Sequence, residues 1–339
     1  MRTFLKKLDW ILPALLIAGL LAYPAAVSEA AADAALLWWS RVLPALLPYL
    51  VAASLLARSG ALLRVRPRLL PVALFLCGAL LGYPVGARLA DALRRQKVLD
   101  DADAERVAVR CNLPNPVFLL SVVSLGFFGN LNCSIPLLLG VYGAALLFAL
   151  PLLRLHADKA PEPRGLLPND LPDAIGDGVK TIGVIGGCIV FASVLGALLQ
   201  SAFHIPQNTV LAVLLGSFEM TCGVRAAAAL PLPMSVRLAL AAWFVQFGGL
   251  SVHLQTALQF PVRLLRYARS KALAALLAAV LTGILTPLFV PETIVPTFAS
   301  ASEIRQNAWA LLTVSLAAAL GLLFVFVFTV GLGRQKRTP

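Results

Sequence analysis

An acidic residue, Glu219, lies inside an apolar stretch of this 339-residue chain. The run Leu214-Leu-Gly-Ser-Phe218 precedes it, and the segment is predicted to break at Gly223 and to resume with Arg225. A charge near the centre of a bilayer costs about 2.5 to 3.5 kcal/mol on insertion scales, so such a residue persists only where it faces protein or water. Glu219 is therefore predicted to bind substrate or a coupling proton. The alternative is a buried structural ion pair with Arg225.

A second interrupted apolar segment lies in the first half of the chain. It breaks at Gly82-Tyr83-Pro84 and resumes with Gly86-Ala87-Arg88, which matches Gly223-Val224-Arg225. Two such segments at corresponding places in two halves of a sequence are typical of a transporter's binding site. The free N–H groups and helix dipoles at the breaks suit an anion. Arg88 and Arg225 are therefore predicted to bind an anionic group. The alternative is that both side chains extend to the membrane interface and anchor their hairpins.

Uncharged polar residues lie beside two further breaks, at Cys111-Asn-Leu-Pro-Asn-Pro116 and at Gly248-Gly249. Such donors and acceptors commonly fix the orientation of a ligand. Asn112 and Asn115 are alternatively caps of the broken span, and His253 is alternatively a core histidine. The full set of predicted substrate-binding residues is Tyr83, Arg88, Asn112, Asn115, Glu219, Thr221, Arg225, Gln246, Ser251, His253 and Gln255.

Composition determines the class of protein. The chain has 60% hydrophobic and 13% charged residues, whereas a soluble domain carries about 25% charged residues. The net charge of +12 comes from short basic clusters between apolar spans, which indicates membrane topology and no nucleic-acid partner. The sequence contains no His-Glu-x-x-His, P-loop or Gly-x-Ser-x-Gly motif, so neither catalysis, a cofactor nor a metal is expected. The five cysteines are interpreted as packing residues.

Apolar length and basic residues predict the elements that position these residues. A helix needs about 20 apolar residues to cross a bilayer, and the arms before Gly82 and Glu219 are shorter, so each is predicted to form a re-entrant hairpin. The sequence predicts an all-α polytopic membrane protein with about eight transmembrane helices plus two re-entrant helical hairpins in an inverted repeat. Both termini are predicted to be cytoplasmic. The basic residues outside the predicted cytoplasmic segments are Arg41, Arg88, Arg225, Arg237 and Arg305.

The predicted units are an N-terminal membrane helix (residues 1–32), a first inverted repeat with a cytoplasmic-side hairpin (33–155), a polar linker (156–172), a second inverted repeat with an external-side hairpin (173–291) and a C-terminal membrane helix (292–339). Residues 28–33 are predicted to form a short acidic external loop. Gly183 and Gly187 are predicted to allow close helix packing. Lys271, with the nearby arginines, is predicted to mark a cytoplasmic segment.

Four motifs resemble those of a known family. They are Gly82-Tyr-Pro-Val-Gly-Ala-Arg88, Cys111-Asn112, Glu219-Met-Thr-Cys-Gly223 and Phe247-Gly-Gly-Leu-Ser-Val-His-Leu-Gln255, of which the last is the most specific. Over most of its length the chain resembles the YlbJ/SpoVV type of sporulation integral membrane proteins. These carry the nucleoside-recognition or Gate domain and are related to concentrative nucleoside transporters.

The resemblance implies transport of dipicolinic acid from the mother cell toward the forespore, across the outer forespore membrane of a spore-forming bacterium. Dipicolinate is a small aromatic dianion, which fits Arg88, Arg225 and the hairpin tips. Two alternatives stay open, namely a transporter of a nucleoside-like solute and a non-transporting Gate-domain partner protein. The expected partners are a small anionic solute and the lipid bilayer. A coupling proton or sodium ion, and a homo-oligomer, are left open.

Overall fold

The computed structural model describes residues 10–155, 165–204 and 208–290. Every regular element in these ranges is helical, as expected for an all-α polytopic membrane protein. Five helices there are long and apolar enough to span a membrane, namely Pro24–Ser59, Leu131–Arg154, Asp170–Phe203, Met234–Gln259 and Leu264–Phe289. The count of eight spans and the inverted repeat stay predictions. The predicted C-terminal helix and most of the polar linker lie outside the described residues.

In chain order the α-helices of the described ranges are α1 (Ile11–Ala22), α2 (Pro24–Leu37), α3 (Leu43–Ser59), α4 (Leu70–Leu81), α5 (Val85–Arg95), α6 (Asp101–Arg110), α7 (Ser134–Ala149), α8 (Asp170–Phe203), α9 (Thr209–Phe218), α10 (Met220–Ala228), α11 (Met234–Phe247), α12 (Gly249–Gln259) and α13 (Leu264–Phe289). Wider π-helical turns lie at Trp38–Val42 and Phe118–Phe127, and short 3-10 turns lie at Ala61–Arg64, Pro67–Leu69, Leu131–Cys133 and Leu150–Arg154.

The first long helix corrects a predicted loop. Helices α2 and α3 are joined by the π-helical turn into one continuous helix, Pro24–Ser59. The predicted acidic loop at residues 28–33 lies inside α2, and the unit boundary predicted after residue 32 falls in the same helix. The stretch is rich in alanine, which has the highest helix propensity, and its charged Glu29 and Asp33 are exposed, so the charges do not interrupt the helix.

The first predicted hairpin break is where the sequence indicated. Helix α4 ends at Leu81 and α5 begins at Val85. Gly82 has a φ of +84°, a backbone conformation that residues other than glycine rarely adopt. A Cβ on Gly82 would also lie 2.8 Å from the Cβ of Asn115, so the turn packs directly against the interrupted segment at residues 111–116.

The second hairpin breaks four residues earlier than Gly223. Helix α9 ends at Phe218 and α10 begins at Met220, with Glu219 extended between them at φ −144° and ψ 124°. Gly223 lies inside α10, and the prediction that the helix breaks there is wrong. Its role is packing, because a Cβ on Gly223 would lie 2.8 Å from Gly216 N and closer still to the Cα of Gly216. The two arms of the hairpin therefore meet backbone to backbone.

Helix α8 also uses different glycines from those predicted. A Cβ added at Gly183 or Gly187 meets nothing within 4 Å, so the prediction of close packing at this pair is wrong. Gly178 and Gly186 lie against other side chains instead, and a Cβ on Gly186 would come within 2.5 Å of the Trp38 indole. The Trp38 indole N–H donates to Ile182 O at 3.0 Å. Helix α8 therefore packs against the π-helical turn and α3 through its other face.

Buried apolar side chains form two main clusters in the described part of the chain. One joins α3, α5, α6 and α8 and includes Leu50, Leu89 and Ile182. The other joins the second π-helical turn with α7, α10, α11 and α13 and includes Phe118 and Phe244. The interrupted segments lie where these two clusters meet, so the fold positions its irregular backbone inside protein, where unpaired peptide groups are tolerated at membrane depth.

Candidate functional site

Four interruptions of helix converge on one cavity. They are residues 82–84, 111–116 and 248–249, together with Glu219. The polar side chains that line the cavity are Tyr83, Asn115 and Glu219 from three of the interruptions, Thr221 from the start of α10, and Ser251 and Gln255 from α12, which begins at the fourth interruption. Apolar walls come from both clusters and include Val42, Ile185 and Phe118. The structure thus brings these predicted site residues together between the two halves of the core.

The cavity is small in this structure. Its volume is about 20 Å³. About 10 to 15 Å³ is needed to hold one water molecule, so an aromatic dianion does not fit without movement. Two of its walls are the hairpin tips that carry Tyr83 and Glu219. A larger solute therefore fits only if walls of the cavity, among them these tips, move apart.

Glu219 is buried at the tip of the second hairpin, with 3% of its surface exposed. Its Oε2 accepts a hydrogen bond from Cys222 N at 2.9 Å, so the carboxylate caps the N-terminus of α10. Its own N–H donates to Leu215 O at 2.8 Å and closes α9. Arg225 is exposed and forms no ion pair with Glu219 among the described residues. The local fold therefore holds the carboxylate through backbone groups and leaves it facing the cavity.

Tyr83 connects the first hairpin tip to the second half of the chain. Its hydroxyl lies 3.2 Å from both Val245 O and Gln246 O, so it donates to the last turn of α11. Helix α11 ends at Gly248, whose φ of +85° turns the chain into α12. This contact joins two of the interruptions across a sequence separation of 162 residues.

Asn115 caps and lines the site at once. Its Oδ1 accepts from Val117 N at 2.7 Å, which satisfies the start of the span that follows, as the capping alternative expects. Its Nδ2 donates to Leu80 O at 2.6 Å, at the end of α4. The side chain therefore fixes the first hairpin against the interrupted segment while it also lines the cavity.

Asn112 lies deeper, in a polar cluster behind the cavity. Its Nδ2 donates to Thr256 Oγ1 at 2.8 Å and to the Tyr267 hydroxyl at 2.9 Å. Its backbone oxygen accepts a hydrogen bond from Lys271 Nζ. His253 completes the cluster, with its ring 4.9 Å from that of Tyr267 in an edge-on arrangement. Asn112 and His253 are thus buried together but do not line the cavity.

Lys271 is a buried basic residue of the polar cluster behind the cavity, and it is absent from the set of predicted site residues. It was assigned to a cytoplasmic segment, but it is buried in α13, with 2% of its surface exposed. The spacing of residues along α13 could have indicated that Lys271 is buried. The buried face of that helix consists of Tyr267, Lys271, Ala274, Ala275, Ala278, Thr282 and Thr286. The lysine falls in register with small and polar residues at intervals of three and four, which is the pattern of an inward-facing helix stripe.

Several buried polar atoms near the site have no hydrogen-bond partner among the described residues. They are Asn112 Oδ1, Gln246 Oε1, His253 Nε2 and Gln255 Oε1. The Nδ1 atom of His253 lies 2.6 Å from Gly249 O, which only accepts, so Nδ1 carries a proton. Buried polar groups in folded proteins are nearly always hydrogen-bonded to protein, water or a ligand. Of these four side chains, Gln255 lines the cavity, whereas Asn112 and His253 lie in the polar cluster behind it.

The two predicted anion-binding arginines lie away from this cavity. Arg88 donates to Thr181 Oγ1 at 3.1 Å and lies 3.9 Å from Asp177 Oδ2, so it faces α8. The same Asp177 pairs with Arg58 at 3.0 Å. Arg225 is exposed on the outer face of α10. The structure therefore does not bring Arg88 and Arg225 together with the other predicted site residues.

The chain is similar to a curated protein. It is 26% identical over 296 residues to the sporulation integral membrane protein YlbJ of Bacillus subtilis (strain 168), and the similarity covers 71% of this chain and 72% of the relative. The five long apolar helices of this chain are consistent with a polytopic membrane protein. No family model matches the sequence, and no solved structure matches it. The Gate domain and the relationship to concentrative nucleoside transporters stay predictions.

Proposed function

We propose that the protein transports a small anionic solute across a membrane and that the solute is dipicolinic acid, moved from the mother cell toward the forespore during sporulation. The carrying observation is the convergence of four helix interruptions on one buried polar cavity. Discontinuous helices around a central site are the usual way in which secondary transporters hold substrate. The similarity to YlbJ supports a sporulation role, and the outer forespore membrane, with both termini cytoplasmic, is the location we assign.

Glu219 is the coupling group in this proposal. Its carboxylate lies buried at a hairpin tip, where a negative charge would repel a bound dianion. Uptake of a proton by Glu219 removes that repulsion and supplies an O–H donor. A proton therefore enters the site with the solute, and the two cross the membrane together.

A nucleoside-like solute is the second candidate, and the neutral lining favours it. Asn115, Thr221, Ser251 and Gln255 line the cavity and carry no charge. Such groups recognise the hydroxyls and ring nitrogens of a nucleoside as readily as a carboxylate. A neutral solute would form no ion pair with a buried basic side chain. Its transport would therefore not change when such a side chain is replaced by a neutral one.

Uptake of labelled dipicolinate into proteoliposomes that contain the purified protein tests the proposal. We expect uptake that empty liposomes lack. Gln255→Leu replaces a polar side chain of the cavity lining with an apolar one of similar size. We expect this variant to lower uptake about 10-fold, because a lost hydrogen bond to a charged solute costs about 1.5 kcal/mol or more.

The matched control is Ser217→Ala. Ser217 is exposed beside the tip of the second hairpin, and its hydroxyl donates to Val213 O at 2.7 Å. The control variant should transport as the unchanged protein does. Uptake of labelled uridine without uptake of dipicolinate would support the second candidate. Uptake of neither solute by well-folded protein would contradict both and favour a non-transporting partner protein.

A further inference from the structure

Lys271 is a buried basic residue with no carboxylate partner in the part of the chain that the structure describes. Its side chain lies in the interior of α13, and none of the ion pairs formed by the described residues includes it. Arg263, just before α13, and Arg266, in its first turn, are by contrast largely exposed and lie near Glu105. An ammonium group removed from water without a counter-charge is strongly unfavourable. A lysine in this setting keeps a stable positive charge only when an anion lies beside it.

The groups that do contact Lys271 compensate for only part of its lost hydration. Nζ donates to Asn112 O and lies 5.2 Å and 5.7 Å from the ring centroids of Tyr83 and Tyr267. Backbone oxygens and aromatic faces favour a cation, but each does so more weakly than an anion in direct contact. Nζ thus forms one hydrogen bond within the described residues, whereas an ammonium group can donate three.

Tyr83 contacts both the Lys271 side chain and the cavity. Tyr83 lies over Nζ and also lines the cavity, and it is carried by the tip of the first hairpin. The chain that supplies the Asn112 oxygen continues directly into Pro114 and Asn115, which line the cavity as well. Displacement of the hairpin tip, a wall whose movement would admit a solute, would open Lys271 to that solute.

We propose that the Lys271 ammonium recognises a carboxylate of the transported solute when the first hairpin tip withdraws Tyr83. The inference rests on the proposed function and deepens it, since it names the cation of the site. Arg88 is engaged with Thr181 and Asp177, and Arg225 is exposed, so neither arginine supplies that cation. The ligand class is small organic carboxylates, and the ammonium discriminates them from neutral rings of the same size.

Lys271→Met tests the inference in purified protein, with binding measured by calorimetry. The ligands are dipicolinate and its neutral analogue pyridine-2,6-dimethanol. We expect Lys271→Met to weaken dipicolinate binding about 10- to 100-fold, as for a lost charge-assisted hydrogen bond, and to change binding of the diol less than about 2-fold. The matched control is Lys180→Met, because Lys180 is exposed on α8, and it should bind both ligands as the unchanged protein does.

Thermal unfolding separates recognition from a structural role. Methionine replaces a buried charge with an apolar group of similar length, so the variant should unfold at the same temperature or higher. Lys271→Gln, which keeps a polar group, gives a second measurement if the first variant misfolds. Equal dipicolinate affinity in folded Lys271→Met protein would overturn the inference, as would equal losses for dipicolinate and the diol.

The inference and the proposed function can fail separately. If the unchanged protein neither binds nor transports dipicolinate, the proposed function is wrong for that solute. The inference is then decided by acetate, benzoate and picolinate. Thermal stabilisation of the unchanged protein by one of these carboxylates, absent in Lys271→Met, supports it, and the lack of stabilisation by all of them overturns it.

Discussion

Glu219 serves both the local fold and the cavity. Its backbone closes α9, its carboxylate caps α10 at Cys222 N, and the same side chain lines the cavity. A carboxylate at a helix N-terminus contributes about 0.5 to 2 kcal/mol through the cap and the helix dipole. Removal of the side chain would therefore disturb the hairpin as well as the site. A variant that keeps the cap but cannot ionise separates the two effects.

Glu219→Gln is that variant, because its amide oxygen accepts the Cys222 N–H in the same way. In the unchanged protein, uptake should rise as the pH on the substrate side falls, since protonation removes a negative charge from a site for an anion. In Glu219→Gln we expect retained binding, no pH dependence of the initial uptake rate, and exchange without concentrative uptake. The measurement is initial uptake into proteoliposomes over a series of external pH values.

The control for this experiment is Glu29→Gln, since Glu29 is exposed on α2 and should leave the pH profile unchanged. Concentrative uptake with the original profile in Glu219→Gln would remove Glu219 from the coupling mechanism. Complete loss of binding would instead identify it as a direct ligand or a structural partner.

At the scale of the element, the second hairpin depends on contact between its two arms. Gly223→Ala places a methyl group against the backbone of Gly216, which has no side chain that moves aside. Overpacking of this kind costs about 1 to 3 kcal/mol, and we expect a lower unfolding temperature in detergent and weaker substrate binding. Gly187→Ala is the control, because its added methyl meets nothing within 4 Å, and it should be neutral or slightly stabilising. Equal stability of the two variants would contradict the contact.

The first hairpin is tied to α8 by Arg88. We expect Arg88→Gln to reduce stability, because the contacts of Arg88 with Asp177 and Thr181 are lost. Substrate affinity should stay nearly constant. Because Asp177 is partly exposed, a double-mutant cycle with Asp177→Asn should give a coupling of about 0.2 to 1 kcal/mol in unfolding free energy. Arg225→Gln should be additive with Asp177→Asn, since Arg225 is exposed elsewhere. A loss of affinity in Arg88→Gln would return this arginine to the binding site.

The sequence predicted those features that depend on local chemistry. The break at residues 82–84 follows from glycine and proline, and the structure agrees. The sequence predicts a break at Gly223, whereas the helix is interrupted at Glu219. Gly223 instead allows close packing on Gly216, and this contact cannot be recognised from the residues around Gly223 alone. Lys271 was missed for a similar reason. A basic residue close to arginines resembles a topology signal, and only the register of α13 with Tyr267 indicates that it faces inward.

At the scale of the molecule, the cavity lies between two apolar clusters rather than within either one. Val42 belongs to the first cluster and Phe118 to the second, and both line the cavity. Movement of one cluster relative to the other would therefore enlarge the site without unpacking either core. A junction of this kind suits a transporter, because packed cores resist continuous deformation while interfaces between them shift more readily.

The direction of the two hairpins decides whether the molecule is an inverted repeat. Helices α4 and α9 have 12 and 10 residues, or about 18 and 15 Å, which is much less than the hydrocarbon core of about 30 Å. We therefore predict that each hairpin returns to the side that it entered. We predict that a cysteine at Lys97, exposed after α5, reacts with an impermeant maleimide from the cytoplasm, and one at Pro231, exposed after α10, from outside.

Native thiols and sidedness need controls in that experiment. Of the native cysteines, Cys77 and Cys188 are partly exposed and are replaced by serine, whereas the other three are buried. A cysteine at the exposed Arg263, which the basic cluster assigns to the cytoplasm, reports vesicle orientation. If the halves are inverted, the two hairpins enter the membrane from opposite sides. Positions 97 and 231 should then be labelled from opposite faces of the membrane. Labelling of both from one face would mean that the halves share an orientation, and the four interruptions would then have to meet without the symmetry of an inverted repeat.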